Sequence, residues 1–376
     1  MKILMTGVHF TPALAVIEEL QKSTVFSLQS TVKQEKLEII YVGRKHTLEG
    51  DKALSAESQI LPQKGVHFIP IIAGRLKRDF SLLTIWSWFK LPIGFIQGFW
   101  IVLTQRPDVV VSFGGYLAVP IVISAWLLNI PILIHDQTLV FGLASTVSSW
   151  FASKVAVTFD QDYPVNKNKL ILTGNPIREE FFSTEKKSTK KTLPTILITG
   201  GNQGSHFINQ LIGEILPQLT EKYLVIQQTG DSKFKDYETL LEQKKSLNKE
   251  QNYQLAKFLA GKEMVAAMKQ ADLVICRAGA NTLLELSYLG TPTLIIPIPY
   301  VQKDEQTVNA RFFTQAGLGQ YLNQNGLNSA KLLEKIKEMM SKKDYYQKQA
   351  LKAKSIVIPD AAKKLTQQIL ILAQNV

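Results

Sequence analysis

Thr195-Ile-Leu-Ile-Thr-Gly-Gly-Asn-Gln-Gly-Ser205 is the stretch that decides the fold. Thr195–Ile198 is a short, β-branched, apolar run, and such runs suit parallel strands covered on both faces. Gly200-Gly201-Asn202-Gln203-Gly204-Ser205 then closes it, and a helical stretch, Ser205–Leu219, follows. Glycine lets a backbone turn tightly and approach a ligand with no Cβ in the way. The helix N-terminus behind it offers free N–H groups and a positive dipole end to a phosphate. Gly201, Gln203 and Ser205 are therefore candidate phosphate-binding positions. A tight strand–helix turn with no ligand is the alternative on these residues alone. No Gly-Lys-Ser/Thr follows, so the loop is not a Walker loop and ATP hydrolysis is disfavoured.

The same strand–loop–helix rhythm extends in both directions. Before it, Lys2–Thr6, Leu37–Val42, Val66–Pro70, Val109–Ser112, Pro131–His135 and Lys154–Val157 read as strands. Pro12–Gln21, Leu82–Thr104, Ala118–Leu128 and Leu143–Ala152 read as helices between them. After it, Leu224–Gln228, Tyr253–Ala256, Leu273–Cys276 and Thr293–Ile296 read as strands among further helices, the last being Asp360–Ala373. Alternation of this kind implies α/β architecture with parallel, doubly wound sheets. Phe181–Pro194, FFSTEKKSTKKTLP, interrupts it as a polar, lysine-rich linker. The expected organisation is an N-terminal Rossmann-like domain (1–180), a linker (181–194), a second Rossmann-like domain (195–354), and a C-terminal helix (355–376) returning to the first domain.

A chain of 376 residues fits two domains. The single cysteine, Cys276, excludes a disulfide framework, and MKILMTG reads as a buried first strand, not a signal peptide. The net charge of +12 suggests a polyanionic partner. No nucleic-acid module signature is present, so nucleic acid is not expected and lipid or phosphate is favoured.

Several other loops carry polar residues at strand ends. Cys276-Arg277-Ala278-Gly279-Ala280-Asn281-Thr282 again joins a strand to a helix, with Glu285 in that helix placed to bind ribose hydroxyls or to serve as a capping carboxylate. Gln306 and Asn309, three apart, share a helical face that could read sugar hydroxyls. In the first half, Thr6-Gly7-Val8-His9, Gly114-Gly115-Tyr116, His135-Asp136-Gln137-Thr138 and Gly174-Asn175-Pro176-Ile177-Arg178 follow strands. His9 is a candidate general base or a structural histidine. Asp160-Gln161-Asp162 is a D-x-D pattern away from the glycine loop; it reads as a chance match, and no cofactor is required, a divalent cation being possible but not indicated.

In this order and at these spacings, the loops resemble the MurG family, the UDP-N-acetylglucosamine transferases of peptidoglycan synthesis that convert lipid I to lipid II. The likeness runs over nearly the whole chain, from His9-Phe-Thr-Pro12-Ala-Leu-Ala to Asp304-Glu-Gln306-Thr-Val-Asn309-Ala. It implies a GT-B fold, two Rossmann-like domains with a cleft between them, and inverting transfer of GlcNAc from UDP-GlcNAc to a polyprenyl-diphosphate-linked acceptor. By position, Glu285 would bind ribose, and Phe258 and Leu259 would lie by the uracil. Gly201, Gln203, Ser205 and Arg178 would meet the diphosphate, and Gln306 and Asn309 the GlcNAc. His9, Tyr116 and Asp136 would be the catalytic group. Thr6, Gly7, Gly114, Gly115, Gln137 and Thr138 would face the acceptor. The sequence departs from the family's GGTGGH loop, with Leu4, Met5 and Val8 in place of three glycines. Thr138 replaces an amide and Asn202 a serine. Other enzymes of the same fold (a lipid glycosyltransferase or a UDP-GlcNAc 2-epimerase) and a non-catalytic UDP-sugar or polyprenyl-phosphate binding protein remain the rival readings.

Phe80–Thr104 holds three of the five tryptophans and is broken by Lys90, Pro92 and Gln97. It joins two strands of one parallel sheet, so a bilayer span is not expected. Trp86, Trp88 and Phe89, with Arg75, Lys77, Arg78 and Trp126, would instead form a patch on an anionic membrane surface, with plain core packing of a crossover helix as the alternative. The expected location is the cytoplasmic face of the cell membrane, as a peripheral protein.

Overall fold

The computed structural model describes residues 1–27, 37–46, 54–72, 82–182, 193–201, 203–259 and 261–374. The chain divides into two units, one of Met1–Arg178 with Ile358–Val376, the other of Glu179–Val357. Most of the expected linker, 183–192, lies outside the described residues.

The first unit runs β1 (Lys2–Thr6), α1 (Phe10–Ser27), β2 (Glu38–Gly43), α2 (Ala56–Gln63), β3 (His67–Pro70), α3 (Leu82–Gln105), β4 (Val109–Ser112), α4 (Ala118–Leu127), β5 (Ile132–Asp136), α5 (Leu143–Phe151), β6 (Lys154–Val157) and β7 (Leu170–Leu172). The second runs β8 (Thr195–Thr199), α6 (His206–Thr220), β9 (Leu224–Gln228), α7 (Asp236–Lys245), β10 (Tyr253–Ala256), α8 (Gly261–Gln270), β11 (Leu273–Cys276), α9 (Ala280–Leu289), β12 (Thr293–Ile295), α10 (Glu305–Gln315), β13 (Gly319–Tyr321), α11 (Ser329–Ser341) and α12 (Lys343–Ala350). Then α13 (Ala361–Gln374) packs on α1, β4 and β5 of the first unit.

The described strands of the first unit form one sheet in the order β3-β2-β1-β4-β5-β6-β7, and those of the second form β10-β9-β8-β11-β12-β13. Every pairing is parallel. In each sheet the chain winds outward from the first strand, then returns and winds the other way. The switch points fall between β1 and β4, and between β8 and β11. Ligands of open parallel sheets bind at the carboxyl ends of the strands at such a point.

Alternation along the buried strands builds two layers. In β1, Ile3 and Met5 pack with α1 and α13 residues such as Val16, Ile17, Leu365 and Ile369. Leu4 faces the other way, toward Val110, Ile121 and Val122. Each fully buried side chain of this size contributes about 1.5–3 kcal/mol relative to exposure. Leu4 and Met5 therefore sit inside a strand, where a side chain fills the core. Of the three departures from the glycine-rich pattern, only Val8 falls in the loop itself.

β7, β13 and α2 carry no strong sequence signal. β7 and β13 are three-residue strands at sheet edges, and Gly319-Gln-Tyr321 has no β-branched residue. α2 contains Pro62 and starts from a cap in which Ser55 Oγ accepts from Ser58 N at 3.2 Å.

Candidate active site

At the first switch point, the β1 and β4 loops are stitched together. Phe113 N donates to Thr6 O at 2.7 Å, and Val8 N donates to Gly114 O at 3.1 Å. From β2, Tyr41 OH donates to Gly7 O at 3.0 Å. The Val8 side chain lies against Gly115, where a Cβ would fall 2.4 Å from Val8 Cγ2. His9 is half-buried, and its Cδ2 lies 3.4 Å from where a Cβ of Gly114 would stand. Burial holds the His9 pKa below the usual imidazole value; the Asp136 carboxylate opposes this and the Arg44 guanidinium adds to it. His9 is thus neutral at neutral pH, the state in which an imidazole accepts a proton. Tyr116 is half-buried beside the same loops.

β5 supplies the next group. His135 is buried, and its Nε2–H donates to Gly174 O at 3.1 Å. Burial pushes its pKa down to about 4, with the Gly174 bond and the Asp136 charge opposing the fall and His9 adding to it. Asp136 uses one oxygen locally: its Oδ1 accepts from Thr138 N at 2.9 Å and from Thr138 Oγ1 at 2.6 Å. A hydroxyl at position 138 thus closes an Asx turn on the shorter acid. Gln137 Oε1 and Thr6 Oγ1 are buried without a hydrogen-bond partner. Arg178, half-buried, ends the unit's first segment.

At the second switch point, Ser205 caps α6, its Oγ accepting from Ile208 N at 3.4 Å. Gly204 lies flat against β9, where a Cβ would fall 1.8 Å from Thr229 O. Gly201 is the open position: it has φ +79°, and a Cβ there would meet nothing within 4 Å. Space over a helix N-terminus is what a phosphate needs. Gln203 is exposed.

Arg277, at the end of β11, ties this loop to its neighbours. Its Nε donates to Ser205 Oγ at 3.0 Å, and its Nη1 to Ile296 O at 3.0 Å and Gln324 Oε1 at 2.8 Å. Its guanidinium also lies over the Phe207 ring, 5.9 Å from the centroid. Burial holds its pKa down to about 10. Glu285 is buried in α9. Gln306 Oε1 accepts from Ala278 N at 3.3 Å and from Ile298 N at 3.0 Å, which joins the β11 and β12 loops. Asn309 departs from the expected direct sugar contact. It is fully buried and its Nδ2 donates to Ala278 O at 3.0 Å, so it positions the loop from behind. Phe258 is exposed, Leu259 half-buried, and Leu259 N donates to Gln228 Oε1 at 2.9 Å.

Sequence reading missed Arg44, Gln228 and Gln324, and it gave Arg277 no task. Arg277 carried a signal, being a charged residue directly after a buried strand. The other three read as ordinary polar residues. The residues expected to meet a membrane are described only in part. Arg75, Lys77 and Arg78 lie outside the described residues, as do the side chains of Trp86, Trp88 and Phe89. Farther along α3, Ile93, Ile96 and Trp100 are exposed, as are Trp126 and Leu127 on α4 and Trp150 on α5. Among the described residues no helix is long and apolar enough to cross a membrane. Asp162 pairs with Lys167 at 3.4 Å on the surface, and no group of three or more His, Cys, Asp or Glu among the described residues could hold a metal.

The glycosyltransferase family 28 N-terminal domain matches residues 6–157, and the family 28 C-terminal domain matches residues 195–365. A relative from Caldanaerobacter subterraneus subsp. tengcongensis is 32% identical over 372 residues, which is 97% of this chain and 96% of that one. It is named UDP-N-acetylglucosamine–N-acetylmuramyl-(pentapeptide) pyrophosphoryl-undecaprenol N-acetylglucosamine transferase. A Clostridium botulinum relative of the same name is 31% identical, covering 98% of both chains. The chain belongs to the MurG family of family 28 glycosyltransferases. Solved structures share the GT-B fold of this family 28 chain. MurG of Acinetobacter baumannii superposes with a TM-score of 0.72 at 23% identity, over 98% of this chain and 99% of that one. UDP-GlcNAc 2-epimerase of Neisseria meningitidis does so with a TM-score of 0.65 at 16% identity, over 99% and 100%.

Proposed function

We propose that the protein transfers GlcNAc from UDP-GlcNAc to a polyprenyl-diphosphate-linked muramoyl-peptide, forming lipid II by a single inverting displacement. The observation that carries this reading is the open backbone at Gly201 over the N-terminus of α6, in a chain of this family. The second unit would hold the donor. Gly201, Gln203 and Ser205 would take the diphosphate, Phe258 and Leu259 the uracil, and Glu285 the ribose. Gln306 would reach the sugar through its Nε2, while Asn309 holds the loop behind it.

The first unit would hold the acceptor, with Thr6, Gly7, Gly114, Gly115, Gln137 and Thr138 around it. The acceptor hydroxyl attacks the anomeric carbon and its proton passes to neutral His9. The nearby Asp136 carboxylate stabilises the imidazolium that forms, and Tyr116 borders the same loops. The C1–O bond to UDP breaks as the new bond forms. Charge then gathers on the leaving diphosphate, where the α6 N–H groups stabilise it.

The polyprenyl chain places this chemistry at a lipid surface. Ile93, Ile96, Trp100, Trp126 and Leu127 would enter the headgroup boundary, with Trp150 beside them. Lys169, whose Nζ lies 3.0 Å from Trp150 O, would meet anionic headgroups. The protein would thus be peripheral, on the cytoplasmic face.

The test is incubation with UDP-GlcNAc, with and without a lipid I analogue, following UDP release and lipid-linked product. Acceptor-dependent release with a disaccharide-lipid product supports the reading. UDP-GlcNAc binding without product sinks the transfer step and leaves a donor-binding protein.

A further inference from the structure

Gln228 is the last residue of β9, the strand between β8 and β10. It stands level with Thr199 on one side and Ala256 on the other. β8 leads into the Gly200–Ser205 loop, and β10 leads to Phe258 and Leu259. Its side chain is 1% exposed and reaches both ways. Nε2 donates to Gly201 O at 3.0 Å, and Oε1 accepts from Leu259 N at 2.9 Å. The partners fix the amide orientation, because a carbonyl only accepts and an N–H only donates. No other side chain of this length does both: methionine does neither, ionised glutamate only accepts, and lysine only donates. Thr199 Oγ1 holds the same glycine from the other side, accepting from Gly201 N at 3.1 Å.

We propose that Gln228 is a positioning residue that sets the spacing between the diphosphate loop and the base loop, so that the second unit selects a nucleoside diphosphate over a monophosphate. This rests on the donor site proposed above. The Gly201 backbone is the open position over α6, and its carbonyl accepts from Gln228 Nε2 on one side and from Gly204 N, within its own loop, at 3.1 Å. Cutting the bridge removes the side-chain link between the two loops and loosens their separation, while the backbone bonds from Thr229 N to Ala256 O and from Gly230 N to Lys257 O keep both loops in place. A ligand that engages both then loses more than one that engages the base loop with a single phosphate.

The test is calorimetric binding of UDP and UMP to the full chain, with KM and kcat for UDP-GlcNAc and the melting temperature. Gln228→Met keeps the volume and removes both hydrogen bonds. UDP should weaken roughly tenfold and KM rise in parallel, while UMP loses clearly less and kcat changes little. Gln228→Glu keeps the Leu259 contact and turns an acceptor toward Gly201 O, so UDP should weaken at least as much while UMP stays near wild type. Thr199→Val, which frees Gly201 N, should shift UDP in the same direction. A lower melting temperature with UDP affinity unchanged would make Gln228 a core glutamine and overturn the proposal. Equal losses for UDP and UMP overturn it too. Wild-type protein that binds no UDP refutes the donor site itself, and this proposal with it.

Discussion

Val8 and Gly115 make a measurable pair. Gly115 has φ +83°, and an added Cβ would fall 2.4 Å and 2.8 Å from the two γ-carbons of Val8. Two penalties therefore meet in Gly115→Ala. The left-handed backbone costs a residue with a Cβ roughly 1–2 kcal/mol. Overlap with a packed side chain costs about 1–3 kcal/mol more. The expected destabilisation is about 2–5 kcal/mol for the first unit. Val8→Ala in the same chain removes both γ-carbons and so the two closest overlaps, but not the 3.1 Å approach of the Val8 Cβ or the backbone strain. The double variant should recover about 1–3 kcal/mol of coupling, measured as a double-mutant cycle. Urea unfolding followed by tryptophan fluorescence reads this unit alone, because all five tryptophans (positions 86, 88, 100, 126 and 150) lie in it. A Gly115→Ala cost below about 0.5 kcal/mol, or coupling near zero, would refute the reasoning that Val8 occupies the space above this glycine.

Three further outcomes are expected. His135 is held neutral by burial, its pKa down at about 4, so the unfolded chain takes up a proton first as pH falls. Its contribution is present above about 6.5 and is lost between there and 4, up to roughly 3 kcal/mol, and His135→Gln should flatten the slope of urea midpoint against pH across that window. Tyr253→Phe leaves Gln227 Oε1, now bonded to Tyr253 OH at 2.8 Å, buried without that donor, and should cost about 1–3 kcal/mol by chemical unfolding; a loss under 0.3 kcal/mol would mean that the bond matters little. Trp100→Glu with Trp126→Glu should abolish sedimentation with phosphatidylglycerol vesicles while leaving UDP affinity unchanged, and undiminished sedimentation would move the lipid contact elsewhere.

The sequence made the architecture legible because its buried strands are short apolar runs closed by glycine or polar residues. β1, β4, β6, β9, β10 and β11 fall within the expected bounds. What escaped it was direction. Asn309 and Gln306 share a helix face with the right spacing for a sugar, yet Asn309 turns wholly into the loop beneath it. α3 is apolar on most sides, and periodicity cannot say which side of such a helix is covered. The contacts with α4 bury Ile101 and Val102 and leave Ile93, Ile96 and Trp100 outside. Leu4 and Met5 looked like losses from a ligand loop until the strand register placed them in the core. Gln228 gave no local signal, because its two partners come from loops far away in sequence.

The return of α13 to the first unit has a consequence for synthesis. Leu365 and Ile369 complete a core otherwise built from α1 and the first sheet. On the ribosome, that core waits uncovered until the whole second unit has been made. The second unit is continuous in sequence and needs no such delay. The order in which the two units can finish folding is therefore the reverse of the order in which they emerge, and the first to appear is the one whose core stays unfinished longest.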